Sequence, residues 1–185
     1  MPPRRRVADS ADVLIRRETA ADAAAVHEVT ARAFARTGQA GRVPAEASLV
    51  DELRADPGWI PALSLVAVDA GGAVVGHVVA TRARVGSAPA LGLGPLSVHP
   101  DHQRRGVGSA LMHAVLGAAD ALDEPVVVLL GDPAYYGRFG FVPATDHGIV
   151  APVDEWEPYF QVRTLTAHDP LVRGGFAYAE PFARV

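Results

Sequence analysis

The chain contains no cysteine and no lysine: all 17 of its basic residues are arginine. Without cysteine there is no disulfide, no thiolate zinc site and no cysteine nucleophile. Without lysine, a phosphate-loop NTPase of the Gly-x4-Gly-Lys-Ser/Thr kind is excluded, as is Schiff-base chemistry. The arginine-for-lysine bias itself reads as genomic base composition. Neither charge sign dominates: the formal net charge is -4 over 185 residues, which argues against a general affinity for nucleic acid. Long apolar runs are also missing, and none approaches the roughly 20 residues of a membrane span. No apolar signal region follows the opening Met-Pro-Pro-Arg-Arg-Arg. These absences predict a cytoplasmic protein with no nucleic-acid and no membrane partner.

What is present is apolar and mixed in pattern. Apolar residues make up 49% of the chain, enough for one domain with a sizeable core. Residues 1–11 are polar and predict a flexible tail; residues 12–185 predict a single α/β domain. Val13-Leu14-Ile15 reads as a short strand. Thr19-Ala-Ala-Asp22 then fits a capping box, with Val26, Val29, Ala33 and Phe34 at helical spacing behind it. Thr37–Pro44 breaks that helix, and a second covers Ala45 to Arg54. Strands are predicted over Ser64–Val68 and Val74–Val85, joined by a hairpin turn at Asp69-Ala-Gly-Gly72. A further strand, Ala90–Val98, leads towards a helix whose buried stripe is predicted as Val107, Ala110, Leu111, Ala114, Ala118 and Leu122. Val126–Leu130 reads as a buried strand. Weaker strand signals lie near Ile149, over Phe160–Leu165 and over Phe176–Ala179.

The chemistry concentrates in "HPDHQRRGVGSAL", residues 99–111. A helix N-terminus carries unpaired N–H groups and about half a positive charge, so it attracts phosphate where no side chain blocks the approach. Gly106 and Gly108 leave that approach open, and Arg104 and Arg105 add positive charge to the rim. On these residues alone a plain loop-to-helix junction is the better account. A dinucleotide-binding oxidoreductase fits less well, because the third glycine of Gly-x-Gly-x-x-Gly is missing and a five-residue turn precedes the motif.

The wider stretch "LSVHPDHQRRGVGSALM" resembles motif A of the GCN5-related N-acetyltransferases, in which a strand runs into Gln-x-x-Gly-x-Gly and a helix. A second anchor is "YYGRFGF": Tyr136, three residues, then Gly140-Phe141 resembles the family's Tyr-x-x-x-Gly-Phe segment. "LIRRETAADAAAVHEV" resembles its opening strand and helix. The segment "PYFQVRTLT…GGFAYAEPF" is similar to bacterial members with an extended C-terminal part. The resemblance implies an α/β (α+β) fold in which a mixed, mostly antiparallel sheet with splayed central strands is flanked by helices. It implies acetyl-CoA as co-substrate and no metal. The backbone of Leu96, Ser97 and Val98 would meet the pantetheine arm and thioester carbonyl. Gln103, Arg104, Arg105, Gly106, Val107, Gly108 and Ser109 would wrap the pyrophosphate. Pro95 suits the irregular strand that the family uses to open a wedge.

Acetyl transfer needs a neutral nucleophile, a stabilised oxyanion and a proton for the leaving thiolate. Tyr136 aligns with the family's general acid; its neighbour Tyr135, with Phe139 and Phe141, is read as packing. Glu46, His99, His102, Asp132 and water stand as alternatives for the base, with His99 also able to serve the turn and Asp132 an Asx turn. No asparagine can be placed on or after the Val126–Leu130 strand, where the family often has one. The implied reaction is direct attack by a primary amine, small-molecule or peptide, in a ternary complex. A non-catalytic acyl-CoA-binding domain on the same fold is the alternative. Dimers are frequent in the family, so a homodimer is the matching expectation.

Overall fold

The computed structural model describes residues 12–35 and 43–184. The expected tail over residues 1–11 lies outside these, as does most of the Thr37–Pro44 segment. No helix among the described residues is long and apolar enough to cross a membrane.

The chain opens with β1 (Leu14–Arg17). The Asp22 carboxylate then accepts the Thr19 N–H and hydroxyl, each at 2.8 Å, and two bonds from the Arg16 guanidinium at 2.7 and 2.8 Å. The guanidinium holds that carboxyl well below the usual range. This lock starts α1 (Ala23–Ala33), and α2 (Ala45–Ala55) follows. Strands β2 (Ser64–Val68) and β3 (Val74–Val85) form the hairpin that Asp69 predicts: its Oδ1 accepts the N–H groups of Gly71 and Ala73 at 2.9 Å. Next come β4 (Ala88–Val98), α3 (Val107–Ala121), β5 (Val126–Leu130) and the short α4 (Pro133–Tyr136). The remainder holds β6 (Val142–Pro143), β7 (Ile149–Val150), β8 (Phe160–Thr164) and β9 (Gly174–Ala177).

The sheet runs β1-β2-β3-β4-β5-β8-β6, with β9 beside the far end of β3 and β7 beside β9. All neighbours along the main path are antiparallel except β4 and β5. One face packs on α3, where Leu111, Met112, Val115 and Ala119 meet Leu65, Val78, Leu91 and Val127. The other packs on α1 and α2 through Val26, Val50 and Val66, and through Leu49, Leu53 and Val79.

Two expectations shift. The stripe of α3 is rotated from the predicted one: Met112, Val115 and Ala119 are buried, whereas Leu122 is 46% exposed. Alanines at 110, 114 and 118 offer little surface to bury, so the larger Met112 and Val115 decide which side turns inward. The last strand ends at Ala177 rather than 179. Its pairing with β3 stops at Arg84–Ala177, and Tyr178 leaves the ladder to lie across Gly92.

Candidate active site

A gap in the sheet sets the site. Strand β4 meets β5 only at Leu91–Val127 and Gly92–Val128. From Leu93 onward β4 has no neighbour on that side, while β5 continues along β8 to Leu130. On its other edge β4 stays with β3 but bulges, since the pairs Val78–Leu96 and Ala80–Leu93 leave Gly94 and Pro95 opposite Val79 alone. The proline therefore sits where a ladder bond is already broken. A cleft of about 460 Å³ fills the divergence. Leu93–Leu96 form one wall and Leu130–Asp132 the other, with Tyr136 on the floor and Glu46 at the α2 side.

The turn before α3 leads into a second cavity of about 380 Å³, bordered by Leu96, Val98, Gln103, Arg104, Gly108 and Tyr135. Arg104 and Gly106 both take left-handed backbone angles, φ 58° and 86°. For Gly106 this is the reason for glycine, and nothing lies within 4 Å of where its Cβ would stand. None of the N–H groups from Arg104 to Ser109 makes a good hydrogen bond to another described residue; the helical ladder begins with Ala110 donating to the Gly106 carbonyl at 2.9 Å. Gln103 differs from the rest of its motif. Its N–H donates to Pro100 and its side-chain amide to the Val98 carbonyl at 3.1 Å, so it braces the turn. Arg104 and Arg105 are exposed, with no carboxylate partner among the described residues.

The two adjacent tyrosines divide between these cavities. Tyr135 reaches the phosphate-type turn, where a Cβ on Gly108 would stand 2.7 Å from its hydroxyl. Tyr136 faces the larger cleft. Its ring lies so close over Gly131 that any side chain there would collide with it. Burial pushes the Tyr136 phenol up to about 12, aided by Tyr135, so it keeps its proton at neutral pH. Phe139 and Phe141 are core residues, 6% and 4% exposed.

The candidate bases separate. His99 and His102 line a different cavity, against Asp22, Glu28 and Val75. The His99 Nδ1 accepts the Asp101 N–H at 3.3 Å, a turn role. Glu46 and Asp132 do border the cleft. Asp132 uses Oδ1 to cap α4 through the Ala134 N–H at 2.9 Å, which leaves its other oxygen free. The Ser97 hydroxyl points away and bonds Thr30 at 3.1 Å, so around the cleft this residue offers only backbone. Sequence reasoning missed Gly92, Gly131, Trp156, Tyr178 and Phe182. A glycine just past a buried strand was the available signal for Gly131; the three aromatics carried none, because their approach is tertiary.

An open sheet with one splayed parallel pair, beside an amide-rich turn at a helix N-terminus, is a fold that can seat an extended, phosphate-bearing ligand. The family model "Acetyltransferase (GNAT) domain" matches residues 14–144. The uncharacterised N-acetyltransferase YhbS of Escherichia coli K12 is 35% identical over 93% of this chain and 99% of its own. YjhQ of the same organism, also an uncharacterised N-acetyltransferase, is 35% identical over 86% and 88%. The crystal structure of E. coli YhbS with CoA superposes with a TM-score of 0.84 at 33% identity, covering 94% of this chain and 93% of that one. A GNAT family acetyltransferase from Brucella melitensis, solved with acetyl-CoA, gives 0.73 at 34% identity over 92% and 97%. The chain belongs to the GNAT acetyltransferase family.

Proposed function

We propose that residues 12–185 form one N-acetyltransferase domain that moves the acetyl group of acetyl-CoA to a primary amine by direct attack. The observation that carries this reading is the continuity of the splayed β4–β5 gap with the unpaired amides of Arg104–Ser109. A pyrophosphate suits the amides, which need an acceptor and sit at a helix N-terminus. An extended amide-bearing arm suits the free edge of β4, where the backbone of Leu96–Val98 has no strand partner on the β5 side. Arg104 and Arg105 add charge at the rim.

The amine arrives as an ammonium, since a lysine-like amine has a pKa of about 10.4. It gives one proton to Glu46, to Asp132 or to water, and its nitrogen lone pair adds to the thioester carbonyl. Backbone N–H groups of β4 receive the charge that develops on oxygen. The C–S bond breaks, a second nitrogen proton is lost, and the sulfur takes up one proton. Amide, free thiol and one proton to solvent balance the starting ammonium and thioester. Tyr136 is the donor to the sulfur: its phenol is protonated throughout the neutral range. Thermal shift with acetyl-CoA, CoA, NAD and ATP, followed by detection of free thiol with an amine panel, tests the reading. Stabilisation by the two CoA forms with turnover of an amine is expected. Binding without thiol release from any amine would instead indicate a non-catalytic acyl-CoA-binding domain.

A further inference from the structure

The acyl cleft carries two features that an acetyl group does not require. Its outer part is aromatic: Phe34 from the end of α1, Trp156, Tyr178 and Phe182 all border it and all are only half buried. Tyr178 and Phe182 come from the C-terminal segment, which β9 returns alongside β3. Their ring centroids stand 4.5 Å apart with the planes tilted by 34°, and Tyr178 lies against Gly92, where a Cβ would come within 2.6 Å of it. Leu130 adds an apolar side chain left 42% exposed at the end of β5. Second, the charged side chains on this cleft are Glu46 and Asp132, and neither has a basic partner among the described residues. Four other carboxylates do have arginine partners, Asp22 with Arg16, Glu18 with Arg54, Glu124 with Arg82 and Glu52 with Arg184, so Glu46 and Asp132 are two unpaired charges that also border a cavity.

We infer that the acceptor is a small monoamine on an aromatic or bulky apolar body, its ammonium held between Glu46 and Asp132 and its body against Trp156, Tyr178 and Phe182. This rests on the acetyl-transfer reading above. The cleft, about 460 Å³, is shared with the acyl end of the donor, so the part of the acceptor that enters it is small. A polyamine or amino sugar would set charge against apolar walls that offer it no acceptors. An anionic acceptor would meet two carboxylates.

The test compares kcat/KM for 2-phenylethylamine, propylamine, spermidine and a short peptide beginning with phenylalanine, read as free thiol. Burying the ring should favour 2-phenylethylamine over propylamine by about 10- to 100-fold. Trp156→Ala should narrow that ratio to about 3-fold or less, and Phe182→Leu provides a milder second variant should Trp156→Ala not fold. Glu46→Gln combined with Asp132→Asn should raise KM about 10-fold for every amine, with acetyl-CoA affinity kept and a fall in kcat added if either carboxylate takes the amine proton. Equal or better turnover of spermidine or propylamine overturns the inference and leaves acetyl transfer intact. Preference for the peptide assigns the cleft to polypeptide amino termini and overturns the small-monoamine assignment. Acetyl-CoA binding with no turnover of any amine overturns both.

Discussion

Two polar regions lie on either side of β3 and β4, and they handle unpaired groups in opposite ways. Beneath α1 and α2 sits a sealed cluster of Glu18, Arg54, Ser64 and His77. Glu18 takes a bond from the Arg54 guanidinium at 2.8 Å and another from the Ser64 hydroxyl. The fully buried His77 lies with Nε2 2.9 Å from that hydroxyl and 3.3 Å from the Glu18 carboxylate. Burial keeps His77 neutral and lowers its pKa. Burial alone would raise Glu18, but His77, Ser64 and Arg54 bring it below the ordinary carboxylate value. In the groove, by contrast, the amides of Arg104–Ser109 and two carboxylates face open space. The cluster resembles a Ser-His-Glu triad only in composition, since Ser64 and Glu18 both meet the same ring nitrogen and Nδ1 has no partner among the described residues. Polar groups that bond mainly to one another, as here apart from the His77 Nδ1, hold the fold; groups left unsatisfied on an open surface are available to a ligand.

The contrast breaks most sharply at Tyr136. Tyr136→Phe keeps the ring on Gly131 and deletes the donor, so steady-state thiol release should fall by about 10²- to 10⁴-fold while acetyl-CoA affinity holds. Tyr135→Phe should change turnover little and binding more. If Tyr135 is the crippling position instead, the division of the two tyrosines between cavities is wrong. With Tyr136 near 12, the wild-type rate profile should show no alkaline limb from this group below about pH 11.

Glu18→Gln acts on the sealed side. It leaves Arg54 with a neutral partner at this site and only its surface pair to Asp51, and should cost about 1 to 3 kcal/mol in denaturant unfolding, with acetyl-CoA affinity unchanged. The same cluster sets a pH dependence. The folded pKa of His77 lies below its ordinary 6.5, so the unfolded chain binds a proton that the folded chain refuses. Stability is therefore full above about pH 6.5 and falls as pH drops below it; Glu18, lowered from 4.5, adds a loss of the same sign further down. Denaturation midpoints measured from pH 8 to 4 should show the first decline, and His77→Gln should reduce it to the part contributed by His168, which burial and the neighbouring His147 also lower.

Gly108→Val sharpens the comparison from the groove side. The added carbon would meet the Tyr135 hydroxyl at 2.7 Å and crowd the turn, so acetyl-CoA affinity should drop about 10-fold or more with the fold retained. Calorimetric titration showing wild-type affinity would rule out this turn as the phosphate site. Arg104→Ala is the smallest effect. Its charge is exposed, so a 2- to 3-fold loss at low salt should fade as the Debye length falls from about 10 Å at 0.1 M to about 3 Å at 1 M.

The elements and their order were legible in the residues alone, because each rests on local physics. The period of Val26, Val29 and Ala33 makes a helix, the Asp69–Gly72 turn makes a hairpin, and Gly106 needs a left-handed angle at a helix start. The motif around Gln103–Gly108 was legible for the same reason. What the tertiary structure alone decided is which groups meet across the sheet. The rotation of α3 depends on side-chain volumes facing two strands, not on spacing. The separation of His99 and His102 from the cleft depends on which side of β4 the turn leaves. Tyr178 and Phe182 border the same cleft as Glu46 and Asp132 because β9 docks on β3 and carries the C-terminal segment there, while Trp156 arrives on the turn before β8. No local pattern encodes that approach, since it arises from packing between residues far apart in the chain, such as Arg84 with Ala177.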